Sequence, residues 1–581
     1  MKKLILSIVV ATGSFVATSQ VIFSAQSPAS VAGLYSFTSN GDGSSWGLLN
    51  LNNPADAITA ELMLVEDGTP GTNLQGHPIS QEGCSALTND LTGKIAVIYR
   101  NTCSFGVKCL NAQTAGAIGV IIVNREPGLV NMSGGTEGTT VMIPVTFIND
   151  TDGATLISAM GSGPVVVFIG NKQGIFANDM GSLVKDRLVP TAFSYPTNIS
   201  NTAAELSFDL GIQVRNFGSA NQTGATVTAN VDFGGSSVYN EISPAFDIIS
   251  GDSTMITFSP FSLASYSNAG KYSLSYTINL TSPDGDTTDN VYTTEFQLND
   301  TLFSLAPLDA VTNYPISTGG TQPSTFTNEY GSCIVFRNSN ADSILARGVY
   351  FSAMTNLVDS LMGQSITVAV YQVVSTFVDL NDAPATGSVD IGDPVAIGYY
   401  YYPDGLQANL QKTVIYQPFD NEIVLENDAR YLFCASAASK KVFIGYNTKL
   451  NYEMNVSYYA QPLVPVITDG STNLVGFGGD NVPAIAAKVA AISSLGVKEN
   501  TTIEGKVYPN PATDEVYVSM KAEGSAKLIV TDVSGKTVMN NTINLVDGKS
   551  KVNMASLTTG MYIFNVVLEN GTSSQFNVVK K

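Results

Sequence analysis

The chain has 581 residues and a formal net charge of −20, so it is too long for a single hydrophobic core. Its acidity disfavours nucleic acid and anionic membrane surfaces as partners, because both would repel it. Only 13% of the residues are charged, whereas 52 Gly, 25 Tyr and 26 Phe are present. This composition is typical of a mainly β, multidomain secreted protein rather than a helical cytosolic enzyme.

Residues 1–19 predict a cleavable signal peptide. Two lysines precede a short apolar run, and Ala17 and Ser19 are small residues placed for cleavage before Gln20. A transmembrane anchor needs about 20 consecutive apolar residues, and neither this run nor any later segment provides them. We therefore expect an exported protein without a transmembrane anchor.

Residues 26–177 alternate between strand and helix patterns. The apolar runs at residues 94–99 and 119–124 predict buried strands. Between them, residues 105–116 place apolar side chains at intervals of three or four, which predicts a helix. The segment therefore indicates an α/β layer.

This α/β segment also follows the pattern of a known family. The agreement lies in residues 93–100, 103–105, 111–117 and 120–124, together with Lys108. In these stretches the chain resembles a protease-associated (PA) domain, over about residues 74–170. The resemblance implies a non-catalytic domain that binds peptides, gates substrate access or mediates protein contacts.

The same resemblance has implications for three cysteines and one asparagine. In the family, the cysteine equivalent to Cys103 often pairs with an upstream one, here Cys84. Cys109 replaces a plain apolar residue on the helix's apolar face, so we expect a buried free thiol. Asn101 stands where the family usually has Gly after Arg, and Asn tolerates the left-handed backbone that such a turn uses.

Two further segments, residues 188–302 and 303–492, show the period-two alternation of strands with one buried face, as in residues 225–231. Turn residues separate these strands at short intervals. We predict an immunoglobulin-like β-sandwich followed by a second, jelly-roll-like sandwich. Cys333 and Cys434 would join two strands of the second sandwich, as suits an exported chain.

A polar linker, residues 493–505, leads to a final segment, residues 506–581. Its motif residues are Pro509, Asn510, Pro511, Asp532, Gly535, Gly560 and Tyr562. In these positions the segment resembles the type A sorting domain of type IX secretion cargo, known from Bacteroidetes. The resemblance implies a small antiparallel β-sandwich, recognition by the type IX machinery, and delivery to the outer cell surface or the extracellular space.

Catalytic motifs are absent from the sequence. His77 is the only histidine, so any Ser-His-Asp or Cys-His site would need it, yet it precedes Pro78 in a Gly-rich loop and no Gly-x-Ser-x-Gly motif occurs. One histidine and these cysteine spacings do not form a zinc pattern. Two carboxylates could serve a glycosidase, but none lies in a recognisable motif. We predict no catalytic residue and no cofactor.

Two groups of residues could each bind a ligand or have only a structural role. Asp284, Asp286 and Asp289 crowd one turn and could hold calcium, or they could simply build a hairpin turn. The tyrosine run at residues 399–402 could stack on sugars, or its alternate members could fill a core.

The leading hypothesis is a non-enzymatic, secreted or surface protein whose PA domain binds a peptide or protein. Two alternatives stay open: a carbohydrate-binding adhesin that uses residues 303–492, and an accessory subunit or unrecognised form of a secreted peptidase.

Overall fold

The structure is a computed structural model that divides into two compact units, Met1–Ala491 and Ile492–Lys581. The predicted signal peptide, most of the predicted linker and Gly535 lie outside the described residues. The residues it describes are 21–39, 46, 51–125, 128–199, 206–262, 269–323, 325–356, 359–382, 385, 389–404, 410–448, 450–492, 505–533, 536–568 and 573–581. Among these, no helix is both long enough and apolar enough to cross a bilayer.

The first domain is built on an eight-stranded sheet of order β2-β1-β8-β4-β5-β6-β7-β3, in which β4 to β7 run parallel. The strands predicted at residues 94–99 and 119–124 are β5 and β6. The predicted domain start at Gln26 falls inside β1, so the sheet begins upstream of it. The strands are Val21–Ser27 (β1), Gly33–Leu34 (β2), Thr38–Ser39 (β3), Ile58–Leu64 (β4), Ile95–Tyr99 (β5), Gly119–Val123 (β6), Val145–Ile148 (β7) and Val166–Asn171 (β8).

Two helices, Phe105–Thr114 (α1) and Asp150–Met160 (α2), cover opposite faces of this sheet. Cys109 of α1 packs in one core with Val120 and Ile122, while Leu156 of α2 packs in the other with Ile121 and Val123. Strand β6 is therefore buried on both faces, which explains its unbroken apolar run. The helical pattern of α1 was predicted; α2 was not.

The rest of the first unit is almost entirely β. It contains one further helix in its described part, Glu453–Tyr459 (α3). Its strands are Met180–Gly181 (β9), Ser194–Pro196 (β10), Ser207–Phe208 (β11), Gly211–Asn216 (β12), Gln222–Phe233 (β13), Ser236–Ile242 (β14), Phe246–Ile248 (β15), Ser253–Thr257 (β16), Phe261–Ser262 (β17), Gly270–Asn279 (β18), Val291–Asn299 (β19), Leu302–Ser304 (β20), Gly319–Thr321 (β21), Tyr330–Phe336 (β22), Ile344–Thr355 (β23), Ser365–Gln372 (β24), Pro394–Tyr401 (β25), Val414–Val424 (β26), Tyr431–Ala437 (β27), Val442–Asn447 (β28), Val466–Thr468 (β29), Ser471–Asn473 (β30), Val482–Pro483 (β31) and Ala486–Ala491 (β32).

One sheet of thirteen strands runs through both predicted sandwiches, with the main path β14-β13-β18-β19-β10-β20-β32-β23-β28-β21. Strand β10 joins the two halves, because it pairs parallel with β19 and antiparallel with β20. The predicted boundary between residues 302 and 303 falls inside β20. The two sandwiches are thus joined by hydrogen bonds and not by a free linker.

Smaller sheets complete each half. The sheets β16-β12-β9 and β11-β17 belong to the second segment, and the six-stranded sheet β25-β24-β27-β22-β29-β30 belongs to the third. Each half has its own apolar core. That of the second segment includes Phe208, Val214, Tyr272 and Phe296, and that of the third includes Tyr330, Phe351, Ile366, Phe433 and Val489.

The structure contains two disulfide bonds, Cys84–Cys103 in the first domain and Cys333–Cys434 in the third segment. Cys333 of β22 lies directly opposite Cys434 of β27, so the second bond links neighbouring strands of one sheet. Cys109 is a buried free thiol.

The second unit is a small antiparallel β-sandwich. A three-stranded sheet, β33-β34-β37, and a four-stranded sheet, β36-β35-β38-β39, enclose one core. Its strands are Gly505–Tyr508 (β33), Glu515–Met520 (β34), Gly524–Asp532 (β35), Thr537–Leu545 (β36), Lys549–Asn553 (β37), Gly560–Leu568 (β38) and Ser573–Lys580 (β39).

The motif residues of this unit make local contacts that hold its turns. The Asn510 amide donates to the Asn577 carbonyl at 2.7 Å and accepts from the Val579 N–H at 2.8 Å, which fixes the Pro-Asn-Pro turn to the last strand. Asp532 accepts from the Lys536 N–H, at 3.1 Å. Tyr562 donates its hydroxyl to the Thr558 carbonyl, at 2.8 Å.

The side chain of Asn455, in α3, makes two hydrogen bonds to the backbone of Val189. The side chain is 1% exposed, accepts from the Val189 N–H at 3.1 Å and donates to the Val189 carbonyl at 2.7 Å. Asn455→Ala would leave both buried backbone groups unpaired. We therefore expect the free energy of unfolding to fall by about 1–3 kcal/mol. Urea denaturation measures it.

Asn328→Ala is the matched control, because that side chain is exposed. We expect it to change the free energy of unfolding by less than about 0.5 kcal/mol. Equal losses in the two variants would show that the Asn455 contact does not hold α3 in place.

Candidate functional site

The carboxyl ends of β5, β6 and β7 form a polar edge of the first domain. Arg100 follows β5 and donates from Nη1 to Asn124 Oδ1, after β6, at 2.9 Å. Asn124 donates in turn to the Gly128 carbonyl at 2.7 Å. Asn149, after β7, caps α2 by accepting from the Asp152 N–H. Ligands of open parallel sheets commonly bind outside this edge.

A cleft of about 450 Å³ lies between this edge and the third segment. We call it the interdomain cleft. The first domain contributes the edge residues Asn124 and Asn149 and the loops around residues 36–38 and 128–130. The third segment contributes residues 320–322, which include part of β21, and the side chains Phe443, Tyr446, Thr448, Phe477, Asp480 and Asn481.

The two walls approach each other closely at Gly128. This residue has φ of +95°, and a Cβ atom there would stand 3.2 Å from the Tyr446 hydroxyl oxygen. Both the backbone conformation and the spacing favour glycine. Beside it, the Thr151 hydroxyl donates to the Thr318 carbonyl at 3.3 Å. The first domain and the third segment are therefore in direct contact next to the cleft.

Asp480 is the one charged side chain lining the cleft within the described residues. Its Oδ1 accepts from Asn481 Nδ2 at 2.9 Å, and burial raises the pKa of the carboxyl. Burial also raises the pKa of Tyr446, and the negative charges of Asp150, Asp152 and Asp480 raise it further. Asp480 therefore places a partly buried acidic group on the wall of this recess.

His77 lies outside the cleft, flat against the ring of Tyr99, with ring centroids 3.8 Å apart. Its backbone N–H donates to Asn73 Oδ1 at 2.9 Å, and burial lowers the imidazole pKa. Within the part of the chain that the structure describes, the imidazole has no hydrogen bond to a carboxylate or hydroxyl. These contacts give His77 a packing role in its loop.

Glu82 organises the neighbouring loops of the first domain. Its buried carboxylate accepts from Asn73 at 3.1 Å, from the Asn101 amide at 3.0 Å and from the Thr102 hydroxyl at 2.5 Å. Burial opposes its ionisation, but the hydrogen bonds from Thr102 and Asn73 outweigh burial and lower its pKa. Lys108 donates to the Glu82 carbonyl at 2.6 Å.

The expectation of a left-handed backbone at Asn101 is wrong, since Asn101 does not have a positive φ. The asparagine is explained by its side chain, which donates to Glu82 and to Gln75. A glycine at this position would lose both hydrogen bonds.

The aspartates of the predicted calcium turn lie around a lysine. Lys172, which follows β8, places its ammonium 2.6 Å from Asp289, 2.9 Å from Asp179 and 3.1 Å from Asp286. Asp284 instead accepts from the Met180 N–H and from Asn290. The ammonium thus supplies the positive charge that the calcium hypothesis assigned to an ion.

We call Lys172, Asp179, Asp286 and Asp289 the Lys172 cluster. Burial disfavours the ammonium, but the three carboxylates outweigh burial and raise the pKa of Lys172. Burial raises the pKa of Asp289 to about 7 and that of Asp179 to about 6, in spite of the lysine. A single buried cation is therefore shared by three carboxylates.

The tyrosine run divides by strand alternation. Tyr400 and Tyr402 pack towards the core of the third segment, whereas Tyr399 and Tyr401 are 47% and 69% exposed. Strand β25, which carries the first three of these tyrosines, is an edge strand of its sheet. The two outward rings form an exposed aromatic pair, and the two inward rings are core.

Comparison with protein families gives two matches. Residues 58–156 match the PA domain, and residues 506–580 match the secretion system C-terminal sorting domain. Both resemblances inferred from the sequence are confirmed. The chain is a PA-domain protein that type IX secretion delivers to the cell surface or the extracellular space.

The curated relatives match over short stretches. Leucine aminopeptidase 2 of Arthroderma otae is 37% identical over 129 residues, which cover 22% of this chain and 23% of the relative. Human ER degradation-enhancing alpha-mannosidase-like protein 3 is 38% identical over 88 residues, which cover 13% and 9%. The chain thus spans about a quarter or less of the length of these relatives.

A solved aminopeptidase from Aneurinibacillus sp. strain AM-1 is 23% identical, with a TM-score of 0.20, over 27% of this chain and 31% of that structure. The likeness to aminopeptidases is confined to the PA-domain region.

The Lys172 cluster leads to a stability prediction. The side chain of Lys172 is 4% exposed, so Lys172→Met would leave three buried carboxylates without a cation. We expect the free energy of unfolding to fall by about 3–5 kcal/mol at neutral pH. Urea denaturation followed by tryptophan fluorescence or circular dichroism measures the change.

Lys185→Met is the control, because that side chain is 40% exposed and its partner Asp186 keeps an ion pair with Arg215. A change within about 1 kcal/mol is expected. Since an ammonium already occupies the cluster, millimolar calcium should leave the melting temperature of the wild-type chain unchanged. A calcium-dependent rise would contradict this assignment of the turn.

Proposed function

We propose that this chain is a non-enzymatic binding protein of the cell surface or extracellular space, whose PA domain holds a peptide or protein ligand in the interdomain cleft. The observation that carries the proposal is the cleft itself. It brings the carboxyl edge of the PA sheet against aromatic side chains and an edge strand of the third segment. Its volume lies within the usual range of ligand pockets, about 300–1,000 Å³.

The edge strand favours a peptide as the ligand. Strand β21 ends the thirteen-stranded sheet, and Gly320 and Thr321 of this strand line the cleft. An extended peptide can add to such an edge through main-chain hydrogen bonds. Gln322, the next residue, has its side-chain oxygen buried without a hydrogen-bond partner. A ligand N–H would satisfy that oxygen.

The similarity to aminopeptidases in the PA region supports an alternative, a peptidase-related role. Proteins named leucine aminopeptidase 2 share the PA region with this chain over about a quarter of their own length. An accessory subunit that presents peptides to a separate peptidase would use the same cleft. The two possibilities differ in whether purified chain alone cleaves the peptides that it binds.

A second candidate function is carbohydrate binding by the third segment, in which Tyr399 and Tyr401 would contact the sugar. Alternate residues of a strand lie on one face about 7 Å apart, so the two exposed rings could stack on neighbouring sugar units. Contiguous exposed apolar surface of this kind often marks an interaction site.

Peptide binding in the cleft can be tested by blocking it. Ser36 is an exposed residue on the cleft wall, so Ser36→Trp should fill the recess without disturbing a core. We expect peptides retained by the immobilised wild-type chain from a random decapeptide library to bind the variant at least about tenfold more weakly. Fluorescence anisotropy measures the affinities.

Ser236→Trp, at an exposed hairpin of the second segment, is the control and should bind as the wild type does. Retention of no peptide by the wild-type chain would refute the proposed ligand class. Peptide cleavage by the purified chain, detected by mass spectrometry and insensitive to peptidase inhibitors, would refute the non-enzymatic assignment.

The carbohydrate candidate predicts a different outcome. On a glycan array, the full chain should give signals that the double variant Tyr399→Ala/Tyr401→Ala loses, because stacking needs both rings. Tyr458→Ala, which removes another exposed tyrosine, should keep them. A wild-type chain silent on all glycans would rule this candidate out.

A further inference from the structure

The walls of the interdomain cleft carry an uncommon combination of side chains. Phe37 comes from the first domain, and Phe443 and Phe477 come from the third segment. All three rings are partly exposed, and Tyr446 stands among them. Aromatic faces carry negative electrostatic potential, so several rings around one recess attract a cation.

The charge of the cleft also favours a cation as the ligand. Asp480 has no lysine or arginine within ion-pair distance among the described residues, and its one hydrogen-bond donor from a side chain is the neutral amide of Asn481. Glu453, Asp150 and Asp152 are acidic groups near the recess. On the first-domain side, the Arg100 guanidinium donates to Asn124 Oδ1. A partly buried carboxylate without a cation is costly, and a positively charged ligand would remove that cost.

A third observation is the hydroxyl of Tyr446. The residue is only 3% exposed, but its hydroxyl oxygen is not fully buried, and no hydrogen bond joins it to another described residue. Since the oxygen borders the cleft, a donor group of a ligand can supply a partner.

We propose that the interdomain cleft recognises an ammonium group, with Asp480 as its counter-charge, the phenylalanine rings as its walls and the Tyr446 oxygen as a hydrogen-bond acceptor. This inference rests on the proposed function, because it names the part of a peptide that the cleft selects. A free amino terminus and a lysine side chain both present this chemistry. Anionic ligands are disfavoured by Asp480 and by the acidic residues around it.

The test uses isothermal titration of the full chain with defined probes. These are tetramethylammonium chloride, the peptide Ala-Phe-Ala-Ala with a free or an acetylated amino terminus, and acetyl-Ala-Lys-Ala-amide with a free or an acetylated lysine. We expect probes with the ammonium group to bind at least about tenfold more tightly than their acetylated partners. The two peptide pairs distinguish the amino terminus from the lysine as its source.

Variants connect the preference to the cleft. Asp480→Asn should abolish the difference between free and acetylated peptides, while Asp420→Asn, which removes an exposed charge of the same segment, should keep it. Phe477→Leu should weaken the binding of tetramethylammonium without changing the binding of acetylated peptides. Circular dichroism of each variant shows whether it is folded.

The outcomes separate this inference from the proposed function. If free and acetylated peptides bind equally and Ser36→Trp weakens both, the cleft is a peptide site and the ammonium proposal is wrong. If tetramethylammonium binds through Asp480 but no peptide does, the ammonium site stands and the peptide function is wrong. If no probe binds while the chain retains library peptides whose binding Ser36→Trp weakens, the ammonium proposal is wrong and the peptide function stands.

Discussion

The Lys172 ammonium, held by three carboxylates, is the interaction on which the arrangement of the first unit depends. The lysine follows the last strand of the PA sheet, whereas Asp286 and Asp289 belong to a turn of the second segment. Gln173 adds hydrogen bonds to the Gly218 carbonyl and to Ser250. Because separating the domains would leave buried charges unpaired, the PA domain is fixed in orientation.

The position of the opposite wall of the cleft follows from a different constraint. Strand β10 is hydrogen-bonded to strands of both sandwiches, so the second and third segments share one sheet. The charge cluster fixes the PA domain on the second segment, and the shared sheet fixes the third segment on the second. Together they bring the Asn124 edge and Tyr446 to opposite sides of one recess, although 322 residues separate them in the chain.

The sequence predicted what depends on local pattern. Buried strands β5 and β6, helix α1 and the apolar position of Cys109 follow from periodicity, and the family patterns located the PA and sorting domains. It could not predict ion pairs or a cleft formed by residues of different segments. In the sequence, the aspartates of residues 284–289 left calcium binding open, and the lysine that contacts Asp286 lies more than a hundred residues away from it. Likewise, Asp480 and Tyr446 lie in no motif and become a site only when the third segment meets the PA edge.

The residues that line the cleft come partly from the PA domain and partly from the third segment. The family match covers residues 58–156, yet Phe443, Tyr446 and Asp480 come from outside it. The PA side of the cleft supplies amides and a loop that approaches closely through Gly128, and the side chains that line the cleft from this side are neutral. Charge and aromatic surface come from the third segment. Because the recess holds about 450 Å³, it suits one or two residues of a ligand rather than a broad protein face. Under the proposed function, that size favours recognition of a chain end or a single projecting side chain, and the charged and aromatic groups of the third segment would select it.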